Sequence, residues 1–347
     1  MPAGTWEGRH MLSIKRLGVA ALALVSLTGL AACGGGSSSG DGSTTALSVG
    51  VPGIPPVFVN LMAYVAESKG YFKEGGVDVT LRPLPTGADV GRAIQSKELD
   101  GGVIGTSGAV ALRASGGNVV AILGNENPSF LIASSDPNVT DCASLKGKTI
   151  AVDGAGAPKA LSVNQMIGSC GLTPADVTTV NVGGPQSVDA MIAGQVDTAV
   201  LHPDELAAVN EKAKAHEVVA LAKVDPTSHY TMLVTREDEL GEGGKRPAWV
   251  KTVAALHKAI TYINDPANAD EVSRIAATMT KRTPEISKVA LGQFVGIKFW
   301  PADAGLARDR VDHAVQAQVQ AGNVAADKAP KYDDFVDLTV FDEALGK

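Results

Sequence analysis

The sequence predicts an α/β fold, and three observations carry the prediction. From Leu47 onward, short apolar runs alternate with amphipathic stretches of about ten to fifteen residues, the pattern of strands and helices packed in layers. The runs repeatedly end in Gly, Ser, Thr or Pro and pass straight into a helix start. The 301 residues from 47 to 347 suffice for two lobes or one large domain.

Taken in order, Leu47–Val51 reads as a strand broken by Gly53-Ile54-Pro55-Pro56, and Val57 to Lys69 as a helix closed by Gly70. Val77–Leu81 alternates with period two, so it is a half-exposed strand. Gly87 to Lys97 is helical and Gly102–Gly105 is a short strand. Thr106-Ser107-Gly108 opens the next helix, and Val119–Leu123 is the strand after it. A second α/β unit begins at Phe130–Ala133. It continues through strand Thr149–Val152, the turn Asp153–Gly156 and a helix with Pro158 in its first turn, where proline is favoured. Thr173-Pro174-Ala175-Asp176 carries a capping hydroxyl and a proline, the marks of a helix start. Val177–Val182 and Thr198–Leu201 are strands, the latter ending at His202-Pro203-Asp204. His229–Thr235 is a strand returning to the first unit, and from Pro247 the chain is mostly helical.

The N-terminus has a separate logic. Lys15-Arg16 precede an apolar run from Leu17 to Gly29, then Leu30-Ala31-Ala32-Cys33. This is the layout of a secretory signal, and the run is short of the ~20 residues a membrane helix needs. Leu-Ala-Ala-Cys resembles the bacterial lipobox, which implies lipidation of Cys33 after removal of residues 1–32. Met11-Leu-Ser-Ile-Lys-Arg is a better-formed positive region than the ten residues before it, so Met11 is the expected start. Residues 33–46 read as a Gly/Ser tether with a reach of roughly 20 Å. The resulting location is extracytoplasmic, at a cell surface or in a periplasm.

Removing residues 1–32 takes away Arg9, Lys15 and Arg16 against Glu7, leaving 27 basic and 36 acidic side chains, a formal balance of −9. That balance argues against nucleic acid, whose affinity depends largely on Lys and Arg neutralising phosphates. Cys142 precedes the strand at Thr149 and Cys170 ends the returning helix, which places them at one sheet edge. In an oxidising compartment a disulfide is expected, the alternative being two buried thiols.

In parallel sheets, turns from strand to helix gather at the edge where ligands bind. Any α/β protein needs flexible turns there, so this pattern alone is weak. Local sequence says more. Ala63 to Val79, with Lys69-Gly70-Tyr71-Phe72 at its centre, resembles a segment of type II periplasmic solute-binding proteins of the nitrate/sulfonate/taurine/aminopyrimidine group. Leu99 to Ser107, Leu145-Lys146-Gly147-Lys148-Thr149-Ile150-Ala151-Val152, Gly194 to Ala199 and Tyr332 to Asp337 are similar to that group's later signatures, in the same order. The resemblance covers about residues 47–340.

It implies a two-lobed binding protein that passes a small polar organic solute to ABC permease subunits, with the ligand cleft between the lobes. Lobe I would be 47–128 plus 228–347, lobe II 129–227, with crossovers near Asn125–Phe130 and Thr227–Tyr230. Carried onto this chain, the ligand-facing residues would be Gly53, Ile54, Pro55, Phe58, Thr86, Thr106, Ser107, Asn125, Asp153, Gly156, Lys159, Gly184, Gln186, His202, Asp204 and Tyr230. These loops hold Glu126, Asp153, Asp204 and Glu205 against Lys159 as the only base. The acids therefore either face solvent or meet a ligand bearing an amine or ring nitrogens. Of the aromatics, Phe58 and Tyr230 are the better candidates for ligand contact, while Trp249 and Trp300 read as packing.

No His-x-His or other tight ligand spacing points to a metal, and no Gly-x-Ser-x-Gly, His-Glu-x-x-His or Walker loop points to an enzyme. No cofactor is expected, and the protein is expected to be a monomer. A sensory protein presenting ligand to a membrane receptor has the same sequence signature as a transport component.

Overall fold

The alternation of apolar and amphipathic segments resolves into two sheets with helices packed around them. The computed structural model describes residues 45–154, 158–182 and 185–347. Cys33, Gly156 and Gly184, each assigned a role from the sequence, lie outside the described residues. In chain order the first part comprises β1 (Ala46–Pro52), α1 (Leu61–Ser68), α2 (Tyr71–Glu74), β2 (Asp78–Leu84), α3 (Gly87–Gln95), β3 (Gly101–Gly105), α4 (Thr106–Ala114) and β4 (Val119–Asn125). The middle part comprises β5 (Leu131–Ser134), β6 (Thr149–Val152), α5 (Pro158–Gly168), β7 (Thr178–Asn181), α6 (Pro185–Ile192), β8 (Thr198–Leu201), α7 (Pro203–Asn210), β9 (His216–Ala220) and α8 (Leu221–Val224). The chain then forms β10 (Thr231–Arg236), α9 (Glu237–Leu240), α10 (Arg246–Asn264), α11 (Ala269–Thr280), α12 (Pro284–Gly296), α13 (Arg308–Gln320), α14 (Tyr332–Phe335) and α15 (Thr339–Ala344).

Among the described residues the strands form two five-stranded sheets, β2-β1-β3-β10-β4 and β7-β6-β8-β5-β9. In the first, β1 runs parallel to β2 and β3, while the returning β10 lies antiparallel between β3 and β4. In the second, β6 is parallel to β7 and β8, and β5 is antiparallel to β8 and β9. The chain crosses between the sheets twice, after Asn125 and again before Thr231.

Local chemistry explains several boundaries. Thr86 and Asp89 form a reciprocal cap on α3, with Asp89 N–H donating to Thr86 Oγ1 at 3.1 Å and Thr86 N–H to Asp89 Oδ2 at 3.0 Å. Thr173 and Asp176 make a similar cap, but the helix they open is a single 3₁₀ turn, because the chain must enter β7 at once. Gly124 is where β4 meets the loop before α13. Its N–H donates to Ala304 O at 2.8 Å, and a Cβ on it would overlap the Gly305 carbonyl. Cys142 and Cys170 form a disulfide with Cα atoms 6.0 Å apart.

The first sheet buries its two faces in separate apolar clusters. One contains Phe58, Trp249, Phe294, Phe299 and Trp300; the other contains Val90, Ile104, Met232 and Phe335. The second sheet does likewise, and Ile286 of α12 joins one of its clusters beside Leu206 and Val209 of α7. The C-terminal helices therefore pack on both halves of the protein.

Candidate functional site

The turns at the ends of β3, β6 and β8 and the two crossovers meet in one region. Thr106, first residue of α4, is buried and committed: His229 Nε2–H donates to Gly305 O at 2.8 Å, so Nδ1 accepts from the Thr106 hydroxyl at 2.7 Å. Burial holds His229 neutral and pulls its pKa down to about 4. Thr106 N–H also donates to Tyr230 O at 2.9 Å, so α4 is fastened to the second crossover.

On the other side, β8 ends at His202. His202 N–H donates to Glu205 Oε2 at 2.8 Å, and its ring lies 2.8 Å from Ser129 Oγ through Nδ1 and 3.3 Å from Tyr230 Oη through Nε2. Burial pulls the imidazole pKa down to about 4, against the raising effect of Glu205. Lys159 on α5 places Nζ 2.6 Å from Glu205 Oε2, with both side chains 8% exposed. Burial alone would raise Glu205, but Lys159, His202 and these hydrogen bonds outweigh it and hold the carboxyl below its usual range. Asp204 Oδ2 accepts from Arg282 Nε at 3.1 Å, while burial raises its pKa despite that guanidinium. Asp153 accepts the N–H groups of Lys159 and Ala160 at 3.3 and 3.0 Å, capping α5; burial raises it too.

Both crossovers are held by one side chain. Arg310 of α13 donates to Asn127 Oδ1 at 2.9 Å and to Ser228 O at 3.2 Å, and its Nε lies 3.4 Å from Glu126 Oε2. Beside them lies a groove of about 90 Å³. Its floor is Pro128, Phe130 and Ser228–Tyr230, and its walls are Gly105 and Ser107 of the first half, Pro158, Leu161, Ser162 and Gln165 of α5, and one side of α13 at His313–Gln318. The rings of Phe130 and Tyr230 meet edge to face with centroids 5.0 Å apart, and burial keeps the Tyr230 phenol protonated.

Of the residues chosen from sequence, Ser107 and Tyr230 line this groove. Gly53, Ile54 and Pro55 form a turn after β1 outside its lining, with Ile54 65% exposed. Thr86 caps α3, Gln186 is exposed on α6, and Asn125 is buried, its Nδ2 donating to Thr231 Oγ1 at 3.1 Å. Lys159, His202 and Asp204 lie in the buried polar layer, bonded to one another's neighbours. Phe58 is core, 1% exposed and stacked on Phe294 at 4.9 Å. Neither expectation for the acids describes them: Glu126, Asp204 and Glu205 each meet a protein cation, and Asp153 meets helix amides. The missing bases are Arg282 and Arg310, from C-terminal helices far away in sequence. Lys281-Arg282-Thr283-Pro284 is legible as a basic pair before a capped helix, but its partner is not.

Among the described residues no cluster of three or more His, Cys, Asp or Glu is arranged to hold a metal, and no helix is long and apolar enough to cross a membrane.

The two-sheet fold is seen in solved structures. The zinc-bound ligand-binding component of an ABC-type import system from Staphylococcus aureus superposes with a TM-score of 0.71 at 14% identity, covering 87% of this chain and 99% of that one. The periplasmic nitrate-binding protein NrtA from Synechocystis PCC 6803 gives 0.71 at 16%, covering 88% and 89%. The periplasmic aliphatic sulphonate-binding protein SsuA from Escherichia coli gives 0.67 at 15%, covering 83% and 91%. At these identities the likeness shows the fold, an α/β two-sheet fold of periplasmic binding proteins. In sequence, the protein named "Putative binding protein YtlA" of Bacillus subtilis (strain 168) is 22% identical over 67% of this chain and 70% of its own length. The 4-amino-5-hydroxymethyl-2-methylpyrimidine phosphate synthase THI13 of Saccharomyces cerevisiae is 26% identical over 62% of this chain and 66% of its own. Residues 58–269, more than half of the chain, match the family model described as NMT1/THI5 like, and the chain belongs to that family.

Proposed function

We propose that this protein is the extracytoplasmic solute-binding component of an ABC importer. It is anchored by lipid on Cys33 after removal of residues 1–32, and it closes on a small polar organic solute before delivery to permease subunits. The single observation that carries this reading is the groove over two crossover segments, walled by helices from both sheet-centred halves. In this reading 47–128 plus 228–347 form one lobe and 129–227 the other. Ser107, Phe130, Ser162, Gln165 and Tyr230 contact the solute, and the turn at Gly53–Pro55 lies toward the rim. The buried layer behind, from Lys159 to His202 and Asp204, sets the shape of the floor.

A thermal-shift screen of the purified full chain, stripped of carried-over solute by partial unfolding and dialysis, tests it. The panel holds sulfonates, taurine, nitrate, aromatic carboxylates, carboxamides, aminopyrimidines and small amines. A solute at about 1,000 times its dissociation constant stabilises by about 4 kcal/mol, several degrees in Tm. Silence across the panel counts against the binding role. A second reading, pyrimidine phosphate synthesis, is favoured by the name of the Saccharomyces relative. With 4-amino-5-hydroxymethyl-2-methylpyrimidine phosphate added to the panel, a response confined to that compound would move weight to it.

A further inference from the structure

We propose that the groove selects an uncharged solute of about the size of benzamide. Its flat apolar face would lie against Phe130 and Tyr230, and its polar groups would meet Ser107, Ser162 and Gln165. The inference rests on the solute-binding role proposed above and narrows it to a ligand class.

The groove residues include no Lys, Arg, Asp or Glu. Residues 155–157 and 183–184 are Ala, Gly, Ala, Gly and Gly, so no ionisable side chain comes from them. The charges behind the floor are already matched. Lys159 is held by Glu205, Arg282 holds Asp204, and Arg310 is spent on Glu126 and the crossover oxygens. Drawing Lys159 toward an anionic ligand would leave Glu205 buried without its cation, which a protein interior penalises heavily. A cationic ligand fares no better. Asp153 gives both oxygens to α5 amides, and Asp225 is engaged by Gln165 and the Thr227 hydroxyl, with His313 3.3 Å away.

What the groove does offer is hydroxyl and amide groups and aromatic surface, since both nitrogens of His229 are already bonded and His313 lies against Asp225. The start of α4 adds about half an elementary charge. That suffices to orient a carbonyl or sulfonyl oxygen and is too little to replace the hydration of a full anion. Size comes from the volume. At about 10–15 Å³ of accessible space per water-sized group, 90 Å³ holds about six to nine non-hydrogen atoms.

The test uses near-isosteric pairs in which a neutral NH2 replaces a charged oxygen: benzamide against benzoate, and methanesulfonamide against methanesulfonate, titrated calorimetrically into the purified full chain. The neutral member of each pair is expected to bind at least about tenfold more tightly, with less than about a twofold change between low and high salt, since no ion pair is there to be screened. Gln318→Lys, which adds a cation to the α13 wall, is expected to bring benzoate level with benzamide. Equal or tighter binding of benzoate or methanesulfonate by the unaltered protein overturns the inference and leaves the solute-binding role standing. No binding by either pair also overturns the ligand class, and a response in the broader thermal-shift panel then shows that the binding role survives it.

Discussion

Arg282 Nε donates to Asp204 Oδ2 at 3.1 Å, joining the turn between α11 and α12 to the first turn of α7 in the other half of the protein. Asp204 sits one residue from Glu205, which is paired with Lys159, so two carboxylates and two cations share one buried layer. This explains how a loop with consecutive acids can sit at the junction of the halves without solvent.

Arg282→Ala removes the cation and leaves Asp204 buried beside a second carboxylate. The expected loss is about 3 kcal/mol of unfolding free energy, within the range for breaking a buried pair. Adding Asp204→Asn to the same chain should recover at least about 1 kcal/mol. Urea unfolding of the single and double variants checks it; strictly additive losses would mean the pair is not coupled.

Acid should destabilise the protein. The pKa values of His202 and His229 are pulled from 6.5 to about 4 by burial. A depressed folded pKa gives stability that is intact above the unfolded value and is lost as pH falls toward the folded one. Asp204 and Asp153, raised by burial, work the other way and gain stability as they are protonated, whereas Glu205, held low by Lys159, adds to the loss on acidification. The two histidines, each moved from 6.5 to about 4, set the net direction, a loss between about pH 6.5 and about pH 4. Tm should fall across this window, and His229→Asn should flatten the slope. A flat or rising Tm would contradict the assignment.

The Cys142–Cys170 bridge spans 28 residues. Closing such a loop restricts the unfolded chain by about 3–4 kcal/mol in the chain-entropy model. Thiol titration of the oxidised protein in denaturant should find no reactive sulfur from this pair. Reduction should lower the urea midpoint by the corresponding amount.

Phe58 and Phe130 should separate under mutation. Phe58→Ala opens a cavity against Phe294 and should cost about 3–5 kcal/mol with solute affinity unchanged in the folded fraction. Phe130→Leu nearly conserves volume, so stability should fall by less than about 1.5 kcal/mol. Solute affinity should drop about tenfold, because the groove loses one of its two rings. Calorimetry on both variants distinguishes them.

Most strands were readable from sequence because they are short apolar runs bounded by Gly, Pro or polar residues; Thr149–Val152 and Thr198–Leu201 fall where their patterns end. β9 at His216–Ala220 is less legible, since His216 and Glu217 are exposed and blunt the apolar signal. The site was read in part. Its turns follow from glycine and proline, whereas the pairing of its charges depends on Arg282 and Arg310, which approach through tertiary packing across 78 and 184 positions of chain. Phe58 looked like a cleft residue because it follows the Gly53–Pro56 turn. One short 3₁₀ segment rotates it into the aromatic core instead.

The grip of Arg310 on Asn127 and Ser228 restricts how the halves can move. Sliding one crossover past the other would pull these acceptors apart and break the guanidinium bonds, whereas bending both segments about the arginine keeps them. In the solute-binding reading proposed above, the two segments would bend together as a hinge about the arginine. The floor at Phe130 and Tyr230 would then travel least, and a solute would keep that one surface while its other contacts form on closure.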